Sequence, residues 1–363
     1  MMRQDRLRTT IDSVELLDVD SRYPRVIGRN ALLGQHGSGV TARCVVLRTA
    51  DGSLGWGLTT GRGEPASLLG RAVGDVFDLS IGVTAPDVLW ADLALHDLAG
   101  ALTRMPVHTM IGSRVRRSVE LYDGSIYFDD LDAEDGMRGI DAVVANVQDG
   151  WEAGYRAFKL KVGRGFTWLP ERMGFERDIE VVRAVRAAFP SARLLVDANN
   201  GFGVDRAIDL LERLGDVELF WFEEPFQEHR HGLERLRTWR RQHQSTTLIA
   251  DGEYRPDVAE VLRFAEQGLL DVLLFDIVDH GLTRWRSLAT SLAGSRLVLS
   301  PHAWGMPLKT YYAAHLAAAV PEATIVEGVR GETVGVDTTG YRLVDGALEL
   351  PDAPGFGMPP PMP

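Results

Sequence analysis

Only one cysteine, Cys44, stands in the 363 residues, so no intrachain disulfide can form and a thiolate metal cluster is excluded. Long apolar runs are lacking too. No segment offers about 18 uninterrupted apolar residues for a membrane span, and the opening MMRQDRLRTTIDSVELLDVD lacks the apolar core of an export signal. The chain therefore reads as cytoplasmic, with no membrane partner. Basic residues are in deficit, 39 Lys and Arg against 51 Asp and Glu, for a formal net charge of -12. No Lys/Arg run with interleaved aromatics stands out, so the electrostatic footprint of a nucleic-acid binder is missing. An acidic protein that handles a small anionic substrate must create positive charge locally, and a bound cation or a buried lysine can supply it.

What is present is ample core material: 45% hydrophobic and 25% charged residues mark a folded protein. The length suits a β/α barrel of roughly 250 residues with about 100 more around it. Residues 1–117 hold the strand-like run VELLDV, a Gly-rich stretch over 28–39, and ARCVVLRTADGSLGWGL, in which Asp51-Gly52 marks a hairpin. Apolar residues at helical spacing over 86–102 predict a helix carrying Trp90, Leu93, Leu95 and Leu98. Sheet followed by helix defines an α+β unit.

Over 118–329 short apolar runs alternate with amphipathic segments. The strand candidates are VELYDGSIY, AFKLKVG, RLLVDANN, LFWFEEP, TLIADGE, DVLLFDI, RLVLSPH and TIVEG, with helices expected over 178–189, 204–214 and 255–267. This count fits a (β/α)8-type barrel, although an open doubly wound sheet shares the alternation. Residues 330–363 are turn-rich and end in APGFGMPPPMP, which sustains neither helix nor sheet. They are expected to return to the N-terminal unit and complete an α+β capping domain.

Lys161, Asp197, Glu223, Glu253, Asp276, His302 and Glu327 each fall at or near the C-terminal end of a strand candidate, at intervals of 23 to 36 residues. Barrel strand ends open on one face, where barrel enzymes place their active sites. A lone acid after a strand is usually a helix N-cap. Three in succession, Asp197, Glu223 and Glu253, concentrate charge that needs a cation, and oxygen donors with open positions favour Mg²⁺. Calcium would want a larger oxygen cage, and zinc a second histidine or a cysteine. Lys159 and Lys161, two apart on a strand, share a face. Each is expected to lower the other's pKa, making Lys161 a base near neutral pH. Asp276 and His302, on neighbouring strand ends, form a base-supporting pair.

Lys159-Leu-Lys161, Asp197-Ala-Asn199, Glu223-Glu224-Pro225, Gly252-Glu253, Asp276, Ser300-Pro301-His302 and Glu327 together resemble the enolase superfamily, mandelate racemase subgroup. Coverage is nearly the whole chain; ALHDLAG from Ala94 is similar to the family's helix leading into the barrel. The resemblance implies Mg²⁺ held by Asp197, Glu223 and Glu253, a small carboxylate substrate, and abstraction of the proton α to the carboxylate through an enediolate. Lys161 would act on one face, with Lys159 near the carboxylate, and His302 with Asp276 on the other. Glu327 would donate a hydrogen bond to a carboxylate oxygen, which requires it to be protonated or strongly hydrogen-bonded; a salt bridge to Arg330 is its structural alternative. Members with both Lys-x-Lys and the His/Asp dyad resemble acid-sugar dehydratases, making a 2-keto-3-deoxy acid. The alternatives are a racemase or epimerase of a 2-hydroxy acid, or a metal-binding member without turnover. Leu58 replaces an acidic residue common in the family, and Asp251 competes with Glu253 as third ligand. Substrate contacts are expected from Asn199 and, in the capping loop, from Arg25, Asn30 and His36, with Arg29 nearby. A symmetric homo-oligomer is expected.

Overall fold

The computed structural model describes residues 4–61, 63–112, 115–131 and 139–361. The chain opens with a meander of β1 (Ile11–Arg22), β2 (Thr41–Thr49) and β3 (Leu54–Leu58). The Asp51-Gly52 turn joins the last two, with Gly52 at φ 85°, the left-handed region a tight hairpin needs. A small hairpin of β4 (Phe77–Asp78) and β5 (Gly82–Val83) follows. The expected helix over 86–102 divides: the Pro-led stretch Pro86–Ala91 is a 3-10 turn, and the α-helix proper is Asp92–Thr103. This helix is buried almost all round because the meander covers one side and the barrel the other. Gly55 permits the contact; an added Cβ would sit 2.4 Å from Leu98 Cβ.

The barrel strands are β6 (Ser118–Ile126), β7 (Ala157–Lys161), β8 (Arg193–Asp197), β9 (Leu219–Glu223), β10 (Leu248–Asp251), β11 (Val272–Leu273), β12 (Val298–Leu299) and β13 (Ile325–Gly328). They pair in chain order from β6 to β12, all parallel, and β13 pairs in parallel with β6. The last strand beside the first is the topology of a ring, which excludes the open sheet. Between β12 and β13 the contact is looser: Leu299 N donates to Glu322 O (3.1 Å), and Ala303 N to the Glu327 side chain (2.8 Å). Tyr122, Leu195, Trp221, Val272 and Ile325 fill the interior, and a larger apolar layer packs the strands against the helices.

The helix expected over 255–267 starts later, at Val258, because Asp257 caps Glu260 N (3.1 Å) and Arg255 is left-handed at φ 50°. After the barrel, β14 (Glu332–Thr333) joins the edge of β1, whereas the hairpin of β15 (Arg342–Val344) and β16 (Ala347–Glu349) adds to β6. The tail thus touches both parts, and Phe356 N reaches Asp97 of the long capping helix (2.7 Å). No helix among the described residues is long and apolar enough to cross a membrane.

Behind β7, Arg164 is fully buried between Asp130 (2.6 Å) and Asp178 (2.8 Å), and Nη1 also donates to Lys161 O (3.2 Å). Arg164→Met leaves buried Asp178 without its counter-charge and Asp130 with only Arg177 (3.4 Å), and is expected to destabilise the fold by about 3–5 kcal/mol. Urea unfolding monitored at unchanged slope measures it; a midpoint equal to wild type would refute the role.

Candidate active site

Parallel register builds the site. Lys161 pairs with Asp197 and Asp197 with Glu223, so three functional residues stand side by side on one rung of β7, β8 and β9. In-register neighbours point to the same face, here the mouth of the barrel. Glu253, two residues beyond β10, completes an acidic group with Asp197 and Glu223 whose oxygens lie within 4.8 Å of one another. Asp251, the competing third acid, is not in this group; it is buried, with Oδ1 accepting from Gly252 N (2.7 Å). The loops after the first two acids are strained: Asn199, Asn200 and Glu224 all have positive φ. Such backbone, costly without glycine, is held here by Asn199 N donating to Asp197 Oδ1 (2.8 Å) and Asn200 N to Glu224 O (2.8 Å).

The lysines neutralise these acids. Lys159 Nζ lies 2.6 Å from Glu223 Oε1, 2.9 Å from Glu327 Oε1 and 3.5 Å from Asp197 Oδ2, and Lys161 Nζ contacts Asp197 Oδ2 directly. This corrects the expectation of a depressed Lys161. Burial pushes its pKa down and Lys159 adds to that, but Asp197, Glu253 and Glu223 outweigh both and hold it above the ordinary lysine range. Lys159 is likewise pulled down by burial and raised well above its usual value by Glu223 and Glu327. Glu223, despite Lys159, is raised well above the carboxylate range by burial.

Across the mouth, Asp276 and His302 lie beyond the two-residue ladders of β11 and β12 and are joined by an isolated parallel bridge. His302 Nδ1 is 3.0 Å from Asp276 Oδ2, while Nε2 is 3.3 Å from Glu253 Oε1 and 3.7 Å from Glu327 Oε2. Burial works against its charge, yet Glu253, Glu327 and Asp276 raise the imidazole well above its ordinary value, favouring the protonated ring. For Glu327 the protonated form that the expected donor role needs is disfavoured. Burial pushes it up, but Lys159 and His302 hold it below the usual range, and Oε2 accepts from Ala303 N (2.8 Å). It does not pair with Arg330, which faces Asp123 (3.9 Å).

Of the expected substrate contacts, Asn199 is buried at the site with Oδ1 lacking a partner among the described residues. His36 also arrives there: its ring meets Tyr127 edge-on (4.7 Å), and Lys161 and Glu253 act on its charge. Its Nδ1 is tied to Gly28 O (2.9 Å), and burial lowers its pKa. Arg25 and Asn30 take other work. Arg25 grips Asp129 (2.8 Å) and Ser125 O (2.6 Å), fastening the capping loop to the end of β6. Asn30 Oδ1 accepts from Leu32 N and Leu33 N and shapes the loop itself. The guanidinium of Arg29 stacks on Trp168 (4.8 Å).

Sequence reasoning missed four groups. Lys309 Nζ shares Asp276 Oδ2 (2.7 Å) with His302, and Trp221 Nε1 donates to Glu223 Oε2 (3.1 Å). Tyr127 lies under Lys161 Nζ (5.1 Å), and Trp304 packs on both Tyr127 (4.9 Å) and Tyr23 (5.7 Å). Trp304, two residues past His302, and Tyr127, at the end of the strand candidate VELYDGSIY, carried a positional hint; Lys309 carried none.

A closed barrel that gathers acids, lysines and a His–Asp pair at the C-terminal mouth of its strands has the layout of a barrel enzyme. Residues 142–361 match the enolase C-terminal domain-like family, and the chain belongs to it, within the enolase superfamily and its mandelate racemase subgroup. Among solved structures it is similar to galacturonate dehydratase from a Geobacillus species, complexed with D-galacturonate and 5-keto-4-deoxy-D-galacturonate: 32% identity, TM-score 0.89, 97% of this chain and 94% of that one. A mandelate racemase/muconate lactonizing protein, also from Geobacillus and complexed with magnesium and tartrate, is 30% identical, with TM-score 0.89 over 97% and 93% of the two chains. D-galactarolactone cycloisomerase of Agrobacterium fabrum is 27% identical over 354 residues, 86% of this chain and 87% of the relative.

The dyad can be tested without substrate. Asp276→Asn removes one of the carboxylates that raise His302, so the imidazole pKa is expected to fall. An NMR titration of the ring protons reads it directly, and an unchanged midpoint would disprove the coupling.

Proposed function

We propose that this protein is a Mg²⁺-dependent dehydratase of a sugar acid, removing the α-proton and the β-hydroxyl to leave an α-keto-β-deoxy acid. Counted from the carboxylate, this is the pattern of the 5-keto-4-deoxy compound in the Geobacillus dehydratase complex, so hexuronates such as D-galacturonate are the first substrates to try. The observation that carries the reading is one acidic group flanked by two different proton-handling sets, Lys161 on one side and His302–Asp276 on the other.

Asp197, Glu223 and Glu253 fit a hard divalent cation. All offer oxygen, their ligand atoms are close, and Glu253 Oε2 is buried without a hydrogen-bond partner among the described residues. Bound there, Mg²⁺ supplies positive charge against the negative charge that develops on the substrate carboxylate. Lys161 takes the α-proton once Asp197 no longer serves as its counter-charge. Lys159, anchored between Glu223 and Glu327, adds positive charge beside the carboxylate. His302, kept protonated by its carboxylate neighbours and oriented by Asp276, gives its proton to the departing hydroxyl, which leaves as water. The resulting enol ketonises to the α-keto acid. His36 and Asn199 contact the sugar hydroxyls.

A panel of sugar acids with Mg²⁺, assayed for α-keto products, tests the function. Run in deuterated water, α-exchange with inversion and no keto product would instead indicate an isomerase; silence across the panel would leave a metal-binding protein without turnover. Lys161→Ala and His302→Asn are each expected to lower turnover by about 10²–10⁴-fold with folding and Mg²⁺ binding retained. An active double variant would refute both roles. Asp197→Asn and Glu223→Gln are expected to weaken Mg²⁺ binding by about tenfold or more in calorimetric titration; unchanged affinity would put the ion elsewhere. Within this reading the protein works as a homo-oligomer, which sizing chromatography checks against the chain mass of 40.0 kDa.

A further inference from the structure

We propose a second ligand site, apart from the acids and bases, that takes a small carboxylate with an apolar body. A cavity of about 620 Å³ lies where β6, the segment after β13 and the C-terminal hairpin meet the end of β1. That volume is in the range of small-molecule sites, about 300–1,000 Å³. No residue of the acidic group, the lysine pair or the His–Asp pair lines it.

Among the polar groups that line this cavity, Arg22 and Glu332 face each other (3.8 Å), and two others, Arg330 and Tyr155, keep donors unused. The Arg330 side chain is only 14% exposed; Nη1 donates to Asn146 O at 3.3 Å and stands 3.9 Å from Asp123 Oδ2. Its Nε and Nη2 have no partner among the described residues. Tyr155 is 6% exposed, and its hydroxyl makes no hydrogen bond to a described residue. That hydroxyl fits where it does because residue 328 is glycine; an added Cβ would come within 2.6 Å of it. Tyr341, on another wall, spends its hydroxyl on Phe356 O.

A partly buried guanidinium that faces Asp123 through Nη1 alone, with its other donors open beside a buried phenol with an unused O–H, suits further acceptor oxygens bearing negative charge, and a carboxylate supplies them in the matching planar form. The wall also carries an apolar patch of Leu121, Pro307, Leu343 and Leu348, beside the polar Arg22, Tyr311 and Glu332. A bare inorganic anion would leave this surface against water, so the ligand carries hydrocarbon next to its carboxylate. The site also borders the catalytic mouth. Thr310, on its wall, donates to Glu327 O (3.0 Å), and Tyr23 donates to Gly305 O (2.5 Å), three residues past His302. Occupancy therefore bears on both segments that hold the barrel's last two functional side chains.

Calorimetric titration of the Mg²⁺-loaded full chain with phenylacetate, and with the neutral phenylacetamide, tests the proposal. Phenylacetate is expected to bind with Kd of about 1 mM or below, and the amide about tenfold more weakly or worse. Arg330→Gln and Tyr155→Phe should each weaken phenylacetate by about tenfold or more, while Asp197→Asn leaves it unchanged. Binding that vanishes in Asp197→Asn but survives in Arg330→Gln would place the probe on the acidic group and overturn the site. Equal affinity for acid and amide would overturn it too, as would absence of heat from phenylacetate up to about 10 mM. Should Arg330→Gln fail to fold, Tyr155→Phe, which removes one oxygen, decides alone. Binding that appears only when the protein is diluted into single chains would mean that a second copy fills the cavity, and the proposal would fall.

Discussion

Carboxylates cannot be buried side by side at a barrel mouth unless positive charge is set among them, and this constraint organises the molecule. Asp197, Glu223, Glu253 and Glu327 have little or no contact with solvent. Burial of an unpaired carboxylate costs several kcal/mol, so the fold places Lys159 and Lys161 within the group and brings His302 to its far side. The register of β7, β8 and β9 makes this possible, because one rung of a parallel ladder carries a lysine and two acids pointing the same way. The cations that let the protein fold with its acids inside are also those to which the proposed function gives the proton transfers.

The same charge balance explains why the site is rigid at its base and layered above. Below the rung, Trp221 and Tyr122 meet edge-on at 5.1 Å, close the interior and exclude water from the lysines. Above it, the loop after β1 is tied down at Arg25, Asn30 and His36, each by a different contact, and its rings pack on Tyr127 and Trp304. A loop anchored at so many points presents His36 in one orientation. Its Nδ1 faces Gly28 O, leaving Nε2 as an acceptor in the neutral ring. His36 thus comes to the mouth from the capping loop, and the acids, the lysines and the His–Asp pair come from strand ends.

Electrostatic environment, unlike residue identity, is a property of three-dimensional neighbours. Two lysines on one strand face depress each other when considered alone, but Asp197 and Glu223 come from the next two strands and reverse the sign. Arg25 and Asn30 sit in the loop that covers the site, yet their side chains are spent on Asp129 and on the loop's own backbone. Lys309 enters the His–Asp pair from the helix Pro307–Ala319, which no spacing pattern announces. In each case the deciding partner is distant in sequence.

The sequence by itself determined the β/α alternation, the hairpin at Asp51-Gly52 and the order of ionisable residues along the strand ends. These are local facts, set by side-chain period and turn chemistry within a few residues. It also put ionisable residues at the strand ends, but left Asp251 and Glu253 as rivals for the third acid. Tertiary structure alone decided that the ring closes through β13 on β6, that the tail serves both sheet edge and barrel, and that each buried charge meets the particular partner that sets its protonation. Those outcomes depend on distances between segments far apart in the chain, and Coulomb energy in a buried site varies too steeply with distance for residue order to specify it.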